Sequence, residues 1–293
     1  MHSDKLPEFD RCGPSRPMYP AQASLPDGTL LAARLTDDYY AVRDPLIQSR
    51  IELLRQGVDL ATALSDLRAR FFDDRVLEYL VFADWLLKRE ATDALLDVGC
   101  VLNNKLVSSL LPLRVRNLHL CNPARERLKV TTLPVELHVA SLASAFPDGR
   151  QFQRVTCLST IEHIGYDNSQ YGPCEPARYE VPQVDTLLDS LRQLAALTAQ
   201  GGELLVSTLY GFREVLVHPV TGKIGQQVFD HDALQQGMEV LRMGGMDAEV
   251  TVFEAFDTGW RRVAPETCHA RYAQGCPAAS AVAIISGRKI EGG

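Results

Sequence analysis

The chain has 293 residues, 46% of them hydrophobic, and a formal net charge of −7. This is enough for a sizeable core, long for one compact domain and short for two large ones. No Lys/Arg run of nucleic-acid type is present, and no stretch approaches the ~18 apolar residues that span a bilayer, so neither nucleic acid nor a membrane is the expected partner. The start, Met1-His2-Ser3-Asp4-Lys5-Leu6-Pro7, lacks an apolar signal core, and a cytoplasmic location is expected.

Residues 1–35 are rich in Pro, Ser and Asp and read as an extended or partly ordered arm. From Asp44 to Glu90 the pattern turns helical. Leu46, Ile47, Ile51, Leu53 and Leu54 fit one helix. Leu60, Ala63, Leu64, Leu67 and Phe71 fit a second. Val76 to Leu87 fits a third, with Asp73 or Asp74 as N-cap. Residues 1–90 are thus an arm and helical segment before a larger unit over 91–293.

Strands then alternate with helices. Strands are expected at Ala94–Val98, Asn117–Cys121, Val135–Val139, Phe152–Leu158 and Glu203–Ser207. Helices are expected at Leu102–Leu111, Ala124–Lys129, Val184–Ala199, ended by Gln200-Gly201-Gly202, and His231–Met243, capped by Asp230. Glu249–Phe256 and Ala281–Ser286 close the pattern as two further strands. Such alternation predicts a parallel, doubly wound α/β sheet. Arg114, Arg116, Arg125, Arg127 and Lys129 read as a solvated face. The seven cysteines include no C-x-x-C pair, which makes a disulfide framework or zinc site improbable.

Three segments carry the chemistry: Leu95-Leu96-Asp97-Val98-Gly99-Cys100, Cys157-Leu158-Ser159-Thr160-Ile161-Glu162-His163-Ile164-Gly165, and Gly201-Gly202-Glu203-Leu204-Leu205-Val206-Ser207-Thr208. Each runs apolar and stops abruptly in small or polar residues, as buried parallel strands do. Ligands of open α/β sheets bind beyond those carboxyl ends. Gly99 permits close backbone approach to a ligand, next to a helix N-terminus with unsatisfied N–H groups. No G-x-G-x-x-G fingerprint is present, which argues against a nicotinamide or flavin cofactor. His163 has an unperturbed pKa suited to proton transfer, and Glu162 could orient it or bind substrate. The polar loop from Tyr166 to Pro173 suits a lid. Tyr210 could contact substrate, and Trp260 suits rim packing or stacking on a ligand. Asp167 and Asn168 beside Glu162 and His163 match no ligand spacing, so no metal is expected.

In order and wording these segments resemble the class I S-adenosylmethionine-dependent methyltransferases. The resemblance implies a Rossmann-like, doubly wound, mostly parallel seven-stranded sheet with an N-terminal helical segment. It implies S-adenosylmethionine as cofactor and a small-molecule acceptor methylated at oxygen or nitrogen. Cofactor contacts are implied for Asp97, Gly99, Cys100, Asn122, Ser141 and Ser159, and catalytic roles for His163 and Glu162. The chain departs from the family pattern at three points. The loop Gly99-Cys100-Val101-Leu102-Asn103-Asn104 has one glycine; Asn122 stands where an acid accepts the ribose hydroxyls; the third strand ends Val139-Ala140-Ser141-Leu142 without the acid expected near adenine. On the sequence alone, Asn122→Asp is expected to tighten cofactor binding by restoring a charged acceptor. The departures also sustain an alternative, a methyltransferase-like pseudoenzyme acting as a binding or scaffold protein. A homodimer is left open.

Overall fold

The computed structural model describes residues 37–67, 69–168, 183–217, 222–274, 276 and 278–290, with the backbone of three two-residue strands at Arg16–Pro17, Ala23–Ser24 and Leu30–Leu31. The rest of the expected arm and residues 169–173 of the expected lid lie outside the described residues.

Helix α1 spans Asp37–Arg55, α2 Leu60–Leu64 and α3 Arg75–Leu87. The first begins earlier than its periodicity predicts. Pro45 lies inside it and disfavours helix on its N-terminal side. Burial of Tyr39 and an ion pair from Arg43 to Asp73 at 3.1 Å hold that first stretch nonetheless. The second helix stops short of the expected Phe71, because Ser65 bridges to Gly259 and the Asp66 N–H bonds the Thr258 carbonyl at 2.7 Å. Asp74 holds the N-cap position of α3, but its side chain makes no capping bond.

Ten strands follow: β1 Thr92–Val98, β2 Val115–Asn122, β3 Val135–Val139, β4 Phe152–Leu158, β5 Thr198–Leu209, β6 Glu214–Val217, β7 Ile224–Val228, β8 Met246–Phe256, β9 Gly259–Val263 and β10 Ala281–Lys289. Between them run α4 Lys105–Ser108, α5 Asp185–Leu197 and α6 His231–Met243. The main sheet has eight strands in the order β9-β8-β10-β5-β4-β1-β2-β3. Pairings among β1 to β5 are parallel, and β8, β9 and β10 are antiparallel. This is the expected Rossmann-like, mostly parallel sheet with one strand more than the expected seven. The addition is β9, where the chain expected to be a loop after β8 folds back on it through Asp257 and Thr258. The hairpin β6–β7, which the sequence reading missed, pairs with Arg16–Pro17 in a separate sheet.

Two expected helices are corrected. The one at Leu102–Leu111 shrinks to α4, because Asp97 captures the Leu102 N–H at 2.7 Å and Asn104 caps at Leu106 N. The one at Ala124–Lys129 does not form. The Asn103 side chain takes the Lys129 N–H at 2.7 Å and the Arg127 carbonyl at 3.0 Å, satisfying backbone groups that a helix would otherwise pair. At its far end α5 gives way to strand at Thr198, which pairs with Phe152, before the Gly201-Gly202 pair expected to end it. Asp230 caps α6 as expected, accepting from Ala233 N at 3.0 Å.

Successive strand residues point to opposite faces, so the sheet carries two cores. On one face Leu95, Leu118, Leu120 and Leu205 pack with the buried sides of α1 and α3. On the other Leu96, Val98, Val155, Leu204 and Val206 pack with α5 and α6. Each such leucine or valine withdrawn from water contributes roughly 1.5–3 kcal/mol before chain entropy is charged. The N-terminal helices therefore share a core with the sheet. No described helix is long and apolar enough to cross a membrane.

Candidate active site

Strand order reverses between β1 and β4: β2 and β3 extend the sheet one way, and β4 and β5 the other. Diverging connections at such a point leave a crevice at the carboxyl ends. A cavity of about 750 Å³ lies there. Its walls include Gly99, Cys100, Asn103 and Asn104 after β1, Asn122 and Glu126 after β2, Ser141 after β3, and Ser159, Thr160 and His163 after β4. Tyr40, Arg43, Arg75 and Tyr79 add a wall from the N-terminal helices.

Gly99 is constrained twice. Its φ is +94°, which favours glycine, and a Cβ there would lie 1.9 Å from Thr160 Oγ1. Cys100 and Ser159 also have positive φ, +57° and +36°. Three adjacent departures from ordinary backbone thus line the cavity mouth, as strained backbone does at ligand sites. Cys100 borders the cavity, and burial pushes its thiol pKa up, so it stays protonated.

Asp97 is fully buried and lies outside the cavity lining. It accepts from Leu102 N at 2.7 Å and Thr156 Oγ1 at 2.9 Å, holding the loop that Gly99 begins. Burial pushes its carboxyl up to about 7. Ser159 borders the cavity, but its hydroxyl bonds Glu78 and lies 3.4 Å from Asp74, which ties the end of β4 to α3. Burial raises the Glu78 pKa against the pull of Arg75, whose Nη1 lies 2.7 Å away. Ser141 lies at the cavity beside Ser144, with hydroxyls 2.9 Å apart.

Asn122 stands where expected, at the end of β2. Its Nδ2 donates to Glu126 Oε1 at 3.0 Å, and Asn103 Nδ2 donates to Glu126 Oε2 at 3.3 Å. Two amides therefore hold a cavity-lining carboxylate beside Asn122. Glu126 and Asn103 are the residues that sequence reading missed. An acid four positions past an expected strand end is the signal that could have found Glu126, but a helix was expected over it.

His163 borders the cavity. Its Nδ1 lies 2.8 Å from the Gly225 carbonyl on β7, which can only accept. Nδ1 is therefore protonated, and in the neutral ring the lone pair is on Nε2. Glu162 points elsewhere. It is fully buried outside the lining; Thr208 Oγ1 donates to its Oε2 at 3.2 Å, and its Oε1 has no hydrogen-bond partner among the described residues. Burial pushes its carboxyl up to about 8. Adjacent in sequence, Glu162 and His163 are not brought together as an acid–base pair.

Tyr210 and Trp260 are buried away from the cavity, and the Tyr210 hydroxyl donates to the Pro265 carbonyl at 2.8 Å. Tyr166 is buried at the cavity wall, where its hydroxyl accepts from Gln183 N at 2.9 Å, and Asn168 also lines the cavity. Among the expected solvated basic residues, Arg116, Arg125, Arg127 and Lys129 are exposed, and Lys129 reaches the cavity rim.

No family model matches the sequence, and no curated protein matches it. Several solved structures are similar in fold. An S-adenosyl-L-homocysteine complex of the N-methyltransferase NodS from Bradyrhizobium japonicum WM9 has 10% identity and a TM-score of 0.45 over 83% of this chain and 99% of that one. The 1,6-didemethyltoxoflavin-N1-methyltransferase of Burkholderia thailandensis has 13% identity and a TM-score of 0.42 over 92% and 95%. The small RNA methyltransferase HEN1 has 14% identity and a TM-score of 0.47, over 77% of this chain and 26% of that one.

Proposed function

We propose that this chain is an S-adenosylmethionine-dependent methyltransferase acting on an oxygen or nitrogen of a small molecule. The observation that carries this reading is the composition of the switch-point cavity. It combines a glycine turn that a Cβ would fill, a carboxylate held by two asparagine amides, and a histidine whose Nδ1 is held by a backbone carbonyl. A volume of about 750 Å³ suits a nucleoside-sized cofactor together with a small acceptor. The donor set fits the cofactor too: the Glu126 carboxylate can accept from two neighbouring hydroxyls, which Asn122 alone cannot do.

A bound S-adenosylmethionine would supply an electrophilic methyl group. The chain's own residues then position and deprotonate. Gly99 allows the backbone close to the ligand. Glu126 accepts paired hydroxyls. His163 Nε2 takes the proton that the acceptor's oxygen or nitrogen must shed. Asp97 and Glu162 act from behind the wall by holding the two loops.

The decisive measurement is calorimetric titration of the full chain with S-adenosylmethionine and S-adenosylhomocysteine. Saturable 1:1 binding of both is expected, as is transfer of a labelled methyl group to an acceptor. Absence of heat with either ligand would overturn this reading in favour of the binding or scaffold protein, which the single glycine, Asn122 and the missing third-strand acid support.

A further inference from the structure

Away from the cavity, on the exposed edge of the sheet, β2 and β3 place three side chains together. Glu136 and His138 are two apart on β3 and so share a face, and His119 of β2 is directly opposite Glu136 in register. His119 Nδ1 and His138 Nε2 are 3.2 Å apart. Glu136 straddles them, with Oε2 3.2 Å from His119 Nδ1 and Oε1 3.5 Å from His138 Nε2. None of the three lines the cavity.

We propose that His119, Glu136 and His138 form a binding site for a zinc-class divalent transition metal. The separations carry the argument. A tetrahedral ion bound by nitrogen and oxygen at about 2.1 Å holds its ligand atoms roughly 3.4 Å apart. The two nitrogens at 3.2 Å and the nearest nitrogen–oxygen approaches of 3.2 and 3.5 Å, made by different Glu136 oxygens, lie near that value, and one ligand atom from each residue lies within 4.8 Å of the others, so a rotation of the half-exposed Glu136 carboxylate would seat a metal. Two imidazoles and one carboxylate are also the donor types such an ion takes. In the empty site a proton on either facing nitrogen can point at Glu136 or at the other ring. Metal binding replaces that proton, which moves to the far nitrogen of the same ring.

The surroundings fix the rings. Phe152 meets His119 edge-on at 5.0 Å, and Phe146 meets His138 at 4.8 Å. Side-chain exposures of 13% and 16% for the histidines against 56% for Glu136 describe a site shielded below and open above, with the fourth position toward solvent. Arg150, with Nη1 3.9 Å from Glu136 Oε1, is the cation that shares this carboxylate when no metal is bound. A bound ion would pin the edge strand β3 to β2.

The test uses the full chain without a polyhistidine tag, stripped with chelator and titrated with cobalt(II) and then zinc(II). One equivalent should bind, with visible cobalt d–d absorption and a rise in the melting temperature. Glu136→Gln changes a half-exposed side chain and should fold normally, yet weaken binding roughly tenfold or more; His138→Asn should do the same. Binding of S-adenosylhomocysteine should be unchanged in Glu136→Gln, which keeps this proposal separate from the reading of the cavity. The proposal is overturned if no saturable equivalent binds, if both variants bind as the parent does, or if the cobalt spectrum shows thiolate charge transfer.

Discussion

In the proposed reaction, proton transfer rests on His163. The Gly225 carbonyl holds Nδ1–H at 2.8 Å, so the ring cannot turn without losing that bond. His163→Ala should lower turnover about 100-fold while leaving S-adenosylhomocysteine affinity near the parent value. Equal losses in both would mean that the ring packs against the cofactor and does no acid–base work. Glu126 gives the second test at this scale. Glu126→Gln removes the charge-assisted acceptor and should weaken cofactor binding by about 1 kcal/mol. Asn122→Asp, expected from the sequence to help, should do the reverse. It would set a second carboxylate against Glu126 Oε1, now 3.0 Å from the Asn122 amide, and like charges that close oppose each other. Calorimetry should show weaker binding for both variants; tighter binding in Asn122→Asp would remove Glu126 from the site.

The loop from β1 to α4 is the element that shapes the cavity mouth. Its order depends on a pair across two strands: Gly99 leaves the space that the Thr160 side chain fills. Gly99→Ala should therefore abolish binding of S-adenosylhomocysteine with little change in far-UV circular dichroism. Thr160→Ala removes the two nearest clashing atoms, so the double variant should recover part of the affinity, but not all. The remainder reflects φ of +94° at a residue with a side chain, of order 1–2 kcal/mol, together with the residue-160 Cβ, still 2.8 Å from the added atom. Full recovery would mean that the clash alone made glycine necessary there. The same loop shows where sequence periodicity fails. Leu102, Leu106 and Leu110 have helical spacing and are all buried, yet only Lys105–Ser108 is α-helix. Asp97 holds the Leu102 N–H and the extended Asn104 caps at Leu106 N, so the helix starts only at Lys105.

For the whole molecule, two buried acids tie stability to pH. Glu162 has a pKa near 8 when folded against 4.5 in the unfolded reference, and Asp97 near 7 against 3.8. Between those limits the native state binds more protons, so stability falls as pH rises, and the contribution of these two groups levels off above pH 8. Each group contributes a slope of up to about 1.4 kcal/mol per pH unit. Asp97 is largely titrated above pH 7, so of the two Glu162 contributes more slope from 7 to 8, and Glu78, also raised by burial, adds in the same direction. Urea unfolding of Glu162→Gln at pH 6, 7 and 8 should show the Glu162 share of that slope lost and stability at pH 8 above the parent's. A variant with the parent's slope would show that Glu162 is ionised in the native protein.

The sequence by itself determined seven of the eight strands of the main sheet and their order along the chain. Apolar runs such as Leu95-Leu96 and Leu204-Leu205-Val206 can be satisfied only between two packed faces, and an abrupt polar end marks where such a strand leaves its core. That placed Gly99, Asn122, Ser159 and His163 at one rim before any contact was known. Tertiary structure alone decided which of them face the cavity. Glu162 and His163 are neighbours in the chain but diverge at the short turn Ile161–His163, one into the core and one to the wall. Glu126 depends on amides from two separate loops, and the His119–Glu136–His138 cluster on the register of two strands. Periodicity reports which residues avoid water along one element. It carries no information on which polar groups of different elements meet, because that is fixed by strand register and by how each loop satisfies its backbone.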